Sequence, residues 1–156
     1  MLINKFIQEN LKVKVLYDGD DSSMKQSMTS SKLPQIFCTD GFSMSVQVGY
    51  SLYSTPKKVA KKYSEVEIGY PSEDEPLLYK YAESFHDPDV DFKYTDTVYP
   101  YVPVEIVNKV LQKHGGIDLT ETSRRAEQQG LEPVKVKENF LPGKFTEWGT
   151  PIQRKL

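Results

Sequence analysis

Two histidines, His86 and His114, and one cysteine, Cys38, are the residues of this 156-residue chain best suited to act as a general base or a reactive thiol. Nucleophilic catalysis needs a Ser, Cys or Thr held beside a base, and no Gly-x-Ser-x-Gly elbow is present to supply one. Cys38 stands beside Asp40-Gly41 and next to Phe37 in an alternating run, the setting of a packed structural thiol. His114 closes a helical pattern and precedes Gly115-Gly116. A histidine there interacts favourably with exposed carbonyls, and the glycines supply a left-handed stop. The structural role therefore leads. The chemical alternative is a small hydrolase or nucleotide-processing enzyme using His114 with Asp96 or Glu105. In His86-Asp87-Pro88-Asp89-Val90-Asp91 the acids alternate as at the start of a calcium loop. Such a loop also needs Gly at its sixth position and Glu at its twelfth, where Phe92 and Val98 stand. The expectation is a solvated acidic loop, with no metal site, no cofactor and no catalytic residue.

Binding is the better-supplied chemistry. Tyr50, Tyr53, Tyr99 and Tyr101, with Tyr63, belong to a set of ten tyrosines. Tyrosine buries much area at small entropy cost and offers bases a stacking face. Lys57 and Lys58, or Arg124 and Arg125, are the cations expected to neutralise a phosphate. The glycine pair follows a helix instead of leading into one, so no phosphate cradle is formed at a helix N-terminus. These residues define the expected binding set: Tyr50, Tyr53, Tyr99 and Tyr101 as anchors, for another protein or for a small anionic ligand such as a nucleotide. The uncharged strand face of Ser43, Ser45 and Gln47, and an aromatic C-terminal arm with Phe140, Phe145 and Trp148, are further candidate surfaces.

Net charge is −2, with both signs mixed throughout, so the basic excess of a generic duplex-DNA binder is missing. Lys57, Lys58, Lys61 and Lys62 form a local basic cluster only. No run approaches the ~18 apolar residues of a membrane span, and the first residues lack a signal-peptide core. The expected compartment is the cytoplasm, with no membrane partner; a homo-oligomer is compatible with this composition.

The elements that must position these residues follow from periodicity. Residues 2–11 place Leu2, Ile3, Phe6, Ile7 and Leu11 at helical spacing. Lys12 to Tyr17 alternates as a half-buried strand, and residues 20–34 read as a mobile loop. Gln35–Thr39, Asp40-Gly41 and Phe42–Val48 spell a hairpin with a two-residue type I′ turn, placing Phe42, Met44, Val46 and Val48 on one face. Tyr63 to Tyr70 alternates again, with Val66, Ile68 and Tyr70 on a common side. Pro76 to Glu83 is a short helix, and Thr97 to Tyr99 a strand interrupted at Pro100 and suited to an edge. Pro103 to Lys113 is the strongest helix, with Val104, Val107, Val110 and Leu111 as its stripe; Thr120 then caps a polar helix that Gly130 ends. The order predicts an α+β fold: a small, mainly antiparallel sheet with two to four helices on one face. Residues 1–34 form an N-terminal helix, strand and flexible loop, 35–120 the core, and 121–156 a helix and arm, in one domain overall.

Three blocks carry a resemblance: CTDGFSMSVQ from Cys38, YSEVEIGYPSEDEPLLYKYAE from Tyr63, and TDTVYPYVPVEIVNKVLQKHGG from Thr95. Together they resemble a group of small uncharacterised bacteriophage proteins over residues 38–116, with a basic stretch at Lys57–Lys62 as a departure. The resemblance implies a phage accessory protein in an infected bacterial host, acting on a host factor or sequestering a small ligand. It carries no catalytic residues across.

Overall fold

In a computed structural model, residues 2–15, 28–30, 32–83, 92–132 and 134 are described. Helix α1 (Ile3–Asn10) buries Ile3, Phe6 and Ile7, the stripe its sequence spacing predicts. Strand β1 (Val13–Val15) pairs antiparallel with β2 (Met28–Ser30), so part of the segment expected to be a loop is a strand. The main sheet has four antiparallel strands in the order β3 (Ile36–Phe37), β4 (Ser43–Gln47), β5 (Glu65–Gly69) and β6 (Val98–Pro103). A 3-10 helix at Pro76–Tyr81 stands where a short helix is expected, with Glu75 capping the Leu77 N–H. Helix α2 spans Val104–Lys113 and α3 spans Leu119–Gln128. The fold is α+β, as the element order predicts. Among the described residues no helix is long and apolar enough to cross a membrane.

The core lies on one side of the sheet. Met44, Val46, Val66, Ile68, Tyr99 and Val102 meet Ile3, Phe6 and Ile7 of α1 and Val107, Val110 and Leu111 of α2. Asn108 accepts the Ile3 N–H at 2.9 Å, which ties the start of α1 to α2. The hydrophobic core thus begins at Ile3 and runs to Ile117. Helix α3 packs on β3, where Thr122 bonds the Phe37 backbone and the Arg125 guanidinium lies 4.7 Å from the Phe37 ring.

Three local expectations are corrected. The Asp40-Gly41 turn is not a two-residue type I′ turn: Cys38 C=O accepts from Gly41 N–H, Cys38 N–H donates to Phe42 C=O, and Gly41 alone has a positive φ, of 96°. A three-residue loop that ends on a left-handed glycine satisfies the same pairing, with Asp40 free to accept the Phe42 N–H through its side chain at 2.9 Å. Helix α3 is capped by Asp118, whose carboxylate accepts the Glu121 N–H, and not by Thr120. Strand β6 continues through Pro100 as an edge strand, accommodated by a bulge opposite Glu67 where Tyr101 takes φ 54°.

The turn after α2 shows how tightly the end of that helix is fixed. At Gly115 φ is +86°, and a Cβ would collide with Thr39 Oγ1. Gly115→Ala should therefore destabilise by more than the roughly 1–2 kcal/mol of a left-handed L-residue. A denaturant midpoint equal to that of the parent protein would refute the close approach.

Candidate functional site

Beyond the core, the opposite face of β4 and β5 forms the floor of a cleft. Strand alternation points Met44, Val46, Val66 and Ile68 inward, leaving Ser45, Gln47, Glu67 and Gly69 on the outer side. Pairing register sets Ser45 opposite Gly69 and Gln47 opposite Glu67. Around this floor stand Tyr50, Leu52, Tyr70, Lys32, Gln35 and Gln129, enclosing a cleft of about 520 Å³. That is a size usual for small-molecule sites.

Hydrogen bonding holds the floor. The Gln47 amide accepts the Leu33 N–H at 2.9 Å and donates to Leu33 C=O and Ser45 Oγ, both at 3.0 Å. It clamps the segment that carries Lys32 to the rim, and uses the Ser45 oxygen as acceptor while leaving the hydroxyl proton available. Ser43, expected on an open face, is buried and bonded to Gln35 Nε2. The polar face is therefore half roofed, with Ser45 as its accessible hydroxyl. Glu67 Oε1 accepts the Tyr53 N–H at 3.0 Å; its other oxygen has no partner among the described residues.

Tyr70 is the residue that local periodicity misplaces. Continued alternation would bury it beside Val66 and Ile68, yet it is 55% exposed and takes φ 47°. A left-handed tyrosine is disfavoured, and the following Pro71 further restricts the backbone before it. The conformation is held by Tyr70 N–H to Thr97 C=O at 3.0 Å and by Ser72 N–H to Ser43 C=O at 2.8 Å. Its effect is to turn the exposed side chain out to the cleft, which Tyr50, itself 47% exposed, also lines.

The sequence-expected binding residues separate. Tyr50 lines the cleft. Tyr53 and Tyr101 form an exposed pair beside it, with ring centroids 5.7 Å apart and the Lys57 ammonium 5.0 Å from the Tyr53 ring centroid. Tyr99 is no surface anchor: it is fully buried, its hydroxyl donates to Tyr94 C=O at 2.6 Å, and burial first, then Asp74 and neighbouring tyrosines, push its pKa up to about 12. Tyr63 is likewise core, its hydroxyl donating to Lys58 C=O. The side chain of Lys58 is not among those that line the cleft. Arg124 and Arg125 both pair with Glu121, at 2.8 and 2.7 Å, and neither lines the cleft. Neither of the two expected cation pairs is among the described residues that line the cleft. Lys32, Gln35, Glu67, Gly69, Tyr70 and Gln129 escaped the sequence reading. Only strand pairing and the Tyr70 backbone bring them together.

His114 lies elsewhere, between Asp40 and Glu75 and not beside Asp96 or Glu105. Its Nδ1 is 2.6 Å from Asp40 Oδ2, its Nε2 is 2.6 Å from Glu75 Oε1, and the Phe42 ring stacks on it at 4.0 Å. Glu75 also holds Lys113 at 2.8 Å and is itself buried. Burial alone would lower the histidine pKa, but hydrogen bonds to Glu75 and Asp40 outweigh it and hold the pKa above its ordinary value. Burial would raise both carboxyls, but the Phe42 N–H and His114 bring Asp40 down, and Lys113 and His114 bring Glu75 down. An imidazolium with a carboxylate on each nitrogen has no lone pair to offer, so this cluster is a clamp joining the β3–β4 turn, the 3-10 helix and the end of α2.

Cys38 is buried, and its thiol is pushed up to about 12 by that burial and then by Asp40 and Asp118, which removes it as a nucleophile at neutral pH. Among the described residues no group of His, Cys, Asp or Glu could hold a metal ion. The acidic run at 86–91 and the aromatic arm with Phe140, Phe145 and Trp148 lie outside the described residues. Comparison with known proteins returns no match: no family model, no curated protein and no solved structure is similar to this chain.

Proposed function

We propose that this chain is a non-enzymatic binding protein, a phage accessory protein by its resemblance, which sequesters a small ligand in the Tyr50–Tyr70 cleft. Tyr70 carries this reading. A half-exposed aromatic side chain held at positive φ immediately before a proline is a cost the fold gains nothing evident from. Strained backbone of this kind persists where surrounding structure enforces it, and clusters at ligand sites. Here the strain places a ring on the wall of a cleft with a polar floor.

The test follows from the same residue. Tyr70→Asn suits the left-handed backbone better, so its stability should stay level or rise by roughly 1 kcal/mol. Native mass spectrometry of protein isolated from a bacterial host should show a small bound mass on the parent chain that the variant lacks. A variant that keeps the same bound mass would remove the cleft from the function.

One observation favours a second reading, occupation of a host factor. The Tyr53–Tyr101 pair with Lys57 is an exposed aromatic surface beside the cleft, and such anchors dominate protein interfaces. Under that reading a host protein co-purifies with the parent chain and is lost on Tyr53→Ala, while Tyr70→Asn keeps it.

A further inference from the structure

Gly69 is the last residue of β5, still paired with Ser45 across the sheet but with no side chain to pack there. The fold does not require it. Its φ lies outside the left-handed region, and a Cβ would meet Ser45 Cβ at 3.7 Å and a Val98 methyl at 3.9 Å, ordinary contacts. What the missing side chain does provide is a flat stretch of cleft floor with no side chain projecting from it, and a glycine in a strand often marks close approach of a ligand or another backbone. Tyr50 and Tyr70 stand as aromatic walls around it. Flat floor and tyrosine walls together suit a planar ring, held by stacking.

The polar groups say what edge that ring presents. Glu67 lies two residues from Gly69 on the same face, roughly 6–7 Å along the strand, about the reach of a ring laid over the glycine. Its carboxylate, engaged at one oxygen by the Tyr53 N–H, still accepts from a pair of adjacent N–H donors. The Ser45 hydroxyl has a proton to give to a ring acceptor. Among the described lining residues Lys32 is the one cation, and it shares the cleft with a carboxylate, which suits a neutral or singly phosphorylated ligand over a polyphosphate.

We infer that the cleft binds a planar nitrogen heterocycle of the nucleobase type with adjacent N–H donors, guanine being the model. The ring covers Gly69 between Tyr50 and Tyr70, its donor edge faces Glu67, and its ribose side is toward Lys32. This inference rests on the binding reading above and names the ligand class of that same cleft. Two sources present the chemistry, a free nucleoside or its monophosphate and an unstacked base in a single strand.

The experiment is titration of the full chain with guanosine, GMP, 1-methylguanosine and a short single strand carrying one guanine, followed by amide chemical shifts. Guanosine and GMP should shift the amides of Ser45, Gly69 and Tyr70. Blocking the ring N–H in 1-methylguanosine should weaken binding about tenfold or more, as should Glu67→Gln, since a hydrogen bond to a charged group is lost in each. Gly69→Val should abolish binding with no loss of melting temperature; if its branched side chain disturbs β4, Gly69→Ala serves, weakening binding in a chain of parent stability. Tighter binding of GMP assigns the free nucleotide as source, and tighter binding of the strand assigns the unstacked base. No shift with any probe overturns the inference, as does a folded Gly69→Val that binds guanosine like the parent. A bound mass that Tyr70→Asn removes, in a protein blind to all four probes, leaves the cleft as a binding site and refutes the heterocycle.

Discussion

Replacing His114 with asparagine should cost the protein about 3–5 kcal/mol, the range for removing one partner of a buried charge cluster. A histidine at an exposed helix end would be worth about 1 kcal/mol, and the sequence alone supports only that smaller value. The difference comes from what the ring touches. His114 is 4% exposed, with a carboxylate on each nitrogen and Phe42 across its face. Without it Glu75 stays buried with Lys113 as its remaining ionic partner. Against a total stability of ~5–15 kcal/mol, the variant is close to unfolding.

The same cluster sets a pH window. The histidine's folded pKa is raised, so its contribution is complete below the ordinary value of ~6.5 and is lost as pH rises through the raised pKa. Asp40 and Glu75 are lowered, so theirs is present above the usual carboxylate range near ~4 and is lost as pH falls through the lowered values. Urea midpoints should peak between those limits, near pH ~5–6. The alkaline decline should flatten in His114→Asn. Parallel curves for the two proteins from acid to alkaline pH would show that the cluster does not control stability.

Val46→Asp should prevent folding. Val46 is fully buried in the central strand β4, paired with Ile68 and surrounded by the apolar core. Its burial is worth about 1.5–3 kcal/mol, and an unpaired carboxylate there adds a desolvation cost of several kcal/mol. Ser45→Lys, one residue away, should fold, because that position faces the cleft and a long side chain can carry its charge to water. It should also block the ligand, since Ser45 is part of the floor. Soluble, cooperatively melting protein from Val46→Asp together with an unfolded Ser45→Lys would reverse the assignment of the two faces of β4.

The core of this protein is legible in its chain because it is written in local periods. Met44 and Val46 alternate, Val107, Val110 and Leu111 recur at helical spacing, and both sets are buried as their spacing requires. Burial of one face is a property of the element itself, so no knowledge of its neighbours is needed. The turn at Gly41 is legible as a turn and not as a type, because the residues fix where the chain reverses and the flanking pairs fix how many residues the loop contains.

The sites were decided by tertiary structure. Glu75 and His114 are 39 positions apart, and no local pattern distinguishes Glu75 from Glu105 as the histidine's partner. Tyr99 and Tyr101 are near neighbours in one strand, yet one is core and the other exposed, because a bulge opposite Glu67 breaks the alternation between them. Gly69 and Ser45 become one floor only through strand register, and Tyr70 reaches the wall only through a left-handed backbone set by partners at Thr97 and Ser43. Sequence determined which side chains must leave water, since hydrophobic burial is indifferent to partner identity. Which polar groups meet is a question of direction and distance across the sheet, and only the packed chain answers it.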